Sequence, residues 1–138
     1  MRKLLITLVA LVFGFSAMCQ NTFKEYSQIV ALLQQHKTLS SDQYAHVVSF
    51  CQNLNMADLS EGLGHELYVH FKKNDAANKQ MLDFSTNGNE KNLITLVEMM
   101  DVDLVSDEYT YEKLVADFPM FANNKSVEKR FFEVIDNE

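Results

Sequence analysis

The chain has 138 residues, 19 of them acidic and 12 basic, for a formal charge of −7 with neutral histidines. That balance excludes the broad cationic surface that nucleic-acid binding requires, and two cysteines are too few for a disulfide framework. The length is that of one domain once a targeting segment is set aside.

Residues 1–19 have the form of a secretory signal: Arg2 and Lys3, an apolar run over residues 4–15, then the small residues Ser16 and Ala17. The run is too short for a membrane span, which takes about 20 apolar residues, because the chain turns polar at Gln20 and Asn21. Ala17 and Cys19 at positions −3 and −1 place the cut before Gln20. The competing cut, before Cys19, would leave a lipid-anchored protein, but Met18 stands where a lipobox has Gly or Ala. The expected product is one all-helical domain, residues 20–138, exported to the periplasm or secreted, with no transmembrane segment. Loss of Arg2 and Lys3 leaves ten basic residues against 19 acidic ones, a charge of −9, and leaves Cys51 without an internal disulfide partner.

Beyond residue 20, apolar residues recur at three- and four-residue spacing, and no stretch alternates with period two for long enough to form a strand. The pattern predicts an all-α, single compact domain of about seven short amphipathic helices. The first covers about residues 23–37, with Thr22 and Glu25 as a capping box and Phe23, Tyr26, Val30 and Leu33 along one face. A second, about 42–54, has Ser41 as its cap and Tyr44, Val47, Val48, Cys51 and Leu54 on one stripe. The third, about 59–72, follows Asp58, carries Leu59, Leu63, Leu67 and Phe71 in a row, and is weakened by Gly62 and Gly64. A short helix at about 76–84 presents Ala77, Met81 and Phe84 before a turn at 85–89.

Three more helices follow, at about 90–100, 107–118 and 125–136, the last two separated by Pro119. Their inward positions are Leu93, Leu96, Val97 and Met100, then Tyr111, Leu114, Val115 and Phe118, then Val127, Phe131, Val134 and Ile135. Met120, Phe121 and Phe132 fall outside these stripes and either cap the core or form an apolar patch. An offset of 65 residues aligns Ile29 with Ile94, Leu39 with Leu104, Ser41 with Ser106, Asp42 with Asp107 and Tyr44 with Tyr109. Such a trace of duplication fits a short solenoid-like stack of helical hairpins as well as an orthogonal bundle.

Residues 98–117 hold seven acids, Glu98, Asp101, Asp103, Asp107, Glu108, Glu112 and Asp117, against one cation, Lys113. Asp101, Asp103 and Glu112 match positions 1, 3 and 12 of an EF-hand, which makes them weak calcium candidates. Val105 and Ser106 at positions 5 and 6 supply neither the ligand oxygen nor the glycine that loop needs. The simpler reading has Ser106 cap the following helix with Asp107 and Glu108 in its first turn.

His65 and His70 are five apart, so they diverge around a helix and form no zinc-protease pair. Glu61 and His65, four apart, read as a helix-surface ion pair. Gly62 and Gly64 lack the third glycine and preceding strand of a dinucleotide fingerprint, and read as permitting close helix packing or a bend. Cys51 on its apolar stripe reads as a core thiol, with His46 pointing elsewhere.

These signals name no catalytic residue, no metal site and no cofactor. The expectation is an exported, non-enzymatic interaction protein, of the inhibitor or immunity type, that covers a basic partner surface with Asp101, Asp103, Asp107, Glu108 and Glu112. The alternatives are an enzyme whose site gathers sequence-distant groups such as Glu61, His65 and the acidic loop, a weak calcium binder, or a small-ligand carrier.

Overall fold

The repeated three- and four-residue spacing folds as it predicts: in the computed structural model the chain is all-α. The structure describes residues 2–85 and 90–137, with the side chains of 17–84 and 90–137. Its helices are α1 (Arg2–Leu33), α2 (Ser41–Asn53), α3 (Ala57–Phe71), α4 (Asp75–Ser85), α5 (Glu90–Met99), α6 (Asp101–Ser106), α7 (Tyr111–Asp117) and α8 (Lys125–Asp136), with a 3₁₀ turn at Pro119–Phe121. Apart from the backbone of Ser85, the turn expected at 85–89 lies outside the described residues.

Several boundaries differ from the sequence expectation, each for a local reason. Thr22 is no cap, because the chain before it is already helical; its hydroxyl instead donates back to the Met18 carbonyl at 3.0 Å. Phe23 is 47% exposed, since this part of α1 overhangs the bundle, and Ile29 is the first described side chain to be buried. Ser40, not Ser41, caps α2: its hydroxyl accepts from the Gln43 N–H while the Gln43 side chain accepts from the Ser40 N–H. The third helix begins two residues early, at Ala57.

The largest departure lies in the acidic segment. Residues expected to form a loop make α6, which closes in a Schellman motif: Tyr109 N–H bonds Leu104 C=O, Glu108 N–H bonds Val105 C=O, and Glu108 takes φ 51°. Leu104 and Tyr109, the apolar pair that accompanies such an ending, are both buried. Ser106 is therefore the end of α6 rather than a cap, and Asp107 and Glu108 lie between helices; Thr110 caps α7 through the Lys113 N–H.

The 65-residue correspondence fails at the same place. Tyr44 sits within α2 and Tyr109 in a connection, while Ser41 opens one helix and Ser106 closes another. Nor do the helices stack in order as a solenoid requires. Helix α3 is central, against α1, α4, α5 and α6, while α5 also packs on α2 and α8. The result is a compact helical bundle.

Its core contains most of the expected stripe residues, including Leu33, Tyr44, Leu63, Leu67, Leu96, Met100, Phe118 and Phe131. Met120 and Phe121 cap it, fully buried, whereas Phe132 is 47% exposed. Gly64 is where α3 meets the end of α5: a Cβ there would stand 1.7 Å from the Met99 carbonyl oxygen, so only glycine allows this approach.

Candidate functional site

That close approach holds the start of α3 beside the α5–α6 junction and leaves a groove along it. One part, about 280 Å³, is lined by Ala57, Ser60 and Glu61 of α3, Glu98 and Met99 of α5, and Asp101 and Val102 of α6. A second hollow of about 380 Å³ shares Ser60, Glu98 and Met99 and adds Cys51, Gln52, Lys91 and Thr95. Glu61 and Asp101 thus line one part, Lys91 the other, and Glu98 stands between them. Glu98 is paired with Arg130 of α8 at 2.7 Å, but Glu61 and Asp101 have no ion-pair partner among the described residues.

The other expected site residues are scattered around this groove rather than gathered in it. His65 pairs with Asp103 of α6 at 2.9 Å, not with Glu61, and that carboxylate raises the His65 pKa. The helix-surface pair expected from spacing is displaced by an acid 38 residues away. His70, on the opposite side of the same helix, is buried. Asp107 accepts from the Tyr68 hydroxyl and from Lys72 at 3.3 Å; both hydrogen bonds hold its carboxyl below the usual carboxylate range. Lys72 also donates to the Tyr68 hydroxyl. Glu108 and Glu112 are exposed and unpaired among the described residues. Asp101 and Asp103 lie on a helix, not in a calcium-type loop, and among the described residues no group of three or more His, Cys, Asp or Glu side chains could hold a metal ion.

A polar cluster that the sequence did not disclose lies beneath Asp107. The Tyr68 and Tyr109 hydroxyls are 3.1 Å apart, and Tyr109 donates to the buried Asp117 at 2.7 Å. Burial, reinforced by Tyr68 and Asp117, drives the Tyr109 pKa up, so this phenol stays protonated. Lys113 lies 4.2 Å over the Tyr109 ring and donates to the Asp107 carbonyl at 2.6 Å. The cluster ties α3 to the α6–α7 connection and supplies no free base. Cys51 is buried, and desolvation pushes its thiol up to about 12, where it is neither thiolate nor nucleophile at neutral pH. His46 sits on the surface, 3.4 Å from Glu25. The arrangement offers charge and hydrogen-bond recognition along the groove; its most reactive groups are held in structural bonds.

Compared with known proteins, the chain matches no family model, no curated protein and no solved structure.

Proposed function

We propose that the protein is an exported, non-enzymatic interaction protein whose acidic groove receives a cationic surface of another protein. One observation carries the reading: Glu61 and Asp101 line an open groove, and among the described residues neither has an ion-pair partner. Uncompensated carboxylates beside a concavity concentrate negative potential there, which speeds association with a basic partner and disfavours an acidic one. Asp103 and Asp107, first grouped with this face, are engaged by His65 and by Tyr68 and Lys72, so they shape the fold rather than await a partner.

No described side chain before Ile29 is buried, so cleavage before Gln20 would take no described side chain from the core. Among the described residues no helix is long and apolar enough to cross a membrane.

The test is capture of partners by the immobilised protein, with Glu61→Lys and Asp101→Lys as variants. Slower association at low salt, and a smaller difference at high salt, are expected for the partner that binds here. Binding that survives both reversals at low salt would overturn the reading.

A further inference from the structure

A buried histidine at the α1–α2–α3 junction has a role the groove does not use. His70 of α3 is 2% exposed and joins two other segments through its ring. Its Nδ1 lies 3.3 Å from the Leu33 carbonyl at the end of α1, which can only accept, so Nδ1 carries the proton. Its Nε2, 3.0 Å from the Tyr44 hydroxyl of α2, must then accept. The same hydroxyl accepts from the Leu39 N–H at 3.4 Å, which closes residues 34–40 between α1 and α2. One neutral imidazole thus fastens the end of α1, the following link and α2 onto α3.

We propose that His70 is an acid-sensitive latch, and that protonation of its Nε2 releases the end of α1 and the 34–40 link from the bundle. A proton on Nε2 turns the acceptor into a donor. Tyr44 could receive it only by directing its own hydroxyl proton away, and with the residue 1% exposed and Phe71 stacked on its ring that proton gains no water. Among the described residues no carboxylate meets either ring nitrogen. On the link, His36 is the near charge, and its positive form opposes a second one. On α3, Glu66 accepts from Gln34 at the surface, and after it Lys72 and Lys73 turn to Asp107 and Asp117. At the start of α4, Asn74 and Asn78 bond the His70 and Phe71 carbonyls, while Asp75 and Lys79 are exposed. On α2, Asp42 is exposed and His46 faces Glu25 of α1 at the surface, away from the His70 ring. Burial lowers the His70 pKa, in accord with this geometry.

The sign follows from linkage. Both states are neutral at pH 7.5; below about pH 6.5 the open state takes up the proton that the closed state resists, so opening grows as pH falls, by at most about thirtyfold at pH 5. The experiment is hydrogen exchange of the whole protein at pH 7.5 and 5.0, corrected for intrinsic rates. Protection over residues 30–40 is expected to fall, by at most about thirtyfold, in the wild type, with a smaller fall in α5, and to stay unchanged in His70→Gln. Unchanged protection in the wild type, an equal fall in α5, or the same fall in His70→Gln would overturn the latch. If His70→Gln fails to fold, the ¹⁵N shifts of His70 in the wild type decide: titration at or above pH 6.5 in the folded protein refutes it, and titration below that value supports it.

Discussion

Replacing Gly64 with alanine tests the packing on which the groove depends. The added Cβ would stand 1.7 Å from the Met99 carbonyl oxygen and 2.9 Å from its carbon. Both atoms are backbone, so no side chain can swing aside, and α3 must move by more than about 1 Å to restore contact distance. That movement separates Leu63 and Leu67 from Leu96 and Met100, all without exposed surface. Alanine returns about 1 kcal/mol of helix propensity, while forced overpacking costs about 3 kcal/mol; the net expectation is a loss of about 2 kcal/mol. Gly62→Ala is the control. Its Cβ would meet the Tyr26 hydroxyl at 2.6 Å, the movable tip of a partly buried side chain, so the propensity gain should survive and the change fall between neutral and about 1 kcal/mol stabilising. Urea unfolding followed by circular dichroism gives both values from the midpoints at a shared slope. The reasoning fails if Gly64→Ala is as stable as the wild type, or if the two substitutions do equal damage.

Three further outcomes follow from the site. Because Asp103 raises the His65 pKa, the pair's stabilisation is full below about pH 6.5 and is lost as pH rises through the higher folded value; in Asp103→Asn an NMR titration should find the His65 midpoint lowered, and an unchanged midpoint would remove Asp103 as the cause. Cys51 should resist a thiol reagent in the native protein at pH 8 and react on unfolding, since its thiol is buried and pushed up to about 12; prompt native labelling would contradict that burial. Millimolar calcium should leave the melting temperature unchanged, because Asp101 and Asp103 are held on a helix rather than in a ligating loop. A rise that Asp103→Ala abolishes would reinstate the calcium reading.

Periodicity made the helical class legible, because burial of one face imposes it wherever the helix faces the core. The helix expected at about 125–136 spans Lys125–Asp136, with Val127 and Phe131 on its inward face, and Asn124 caps it. Ends failed where a local signal was outvoted. Thr22 and Glu25 have capping-box chemistry, but a cap requires the preceding chain to leave the helix, which residues 2–21 do not. Glu108 occupies the left-handed position where glycine is the usual sign of a helix end, so α6 had no visible stop. His70 was accessible to pattern reading, lying three residues after Leu67 on the buried face of α3; its partners Tyr44 and Leu33 were not, because they come from separate helices.

The acidic segment illustrates why a charge count along the chain overstates a charge on the surface. Within residues 98–117 seven acids face one lysine, and a hairpin made of those residues alone would be left with a large surplus. Folding brings in cations from elsewhere: Arg130 of α8 reaches Glu98, His65 of α3 and Lys72 just after it reach Asp103 and Asp107, and Lys73 stands 3.8 Å from Asp117. Asp117 is then taken inside on the Tyr109 hydroxyl. What remains is a smaller set, Asp101, Glu108 and Glu112, with Glu61 joining it from α3. Exposed pairs contribute little to stability, but each removes a carboxylate from the potential a partner would meet. The recognition surface is therefore what the intramolecular pairing leaves over, and the position of Glu61 and Asp101 beside the Gly64–Met99 approach follows from the packing of α3 against α5 rather than from the density of acids in the sequence.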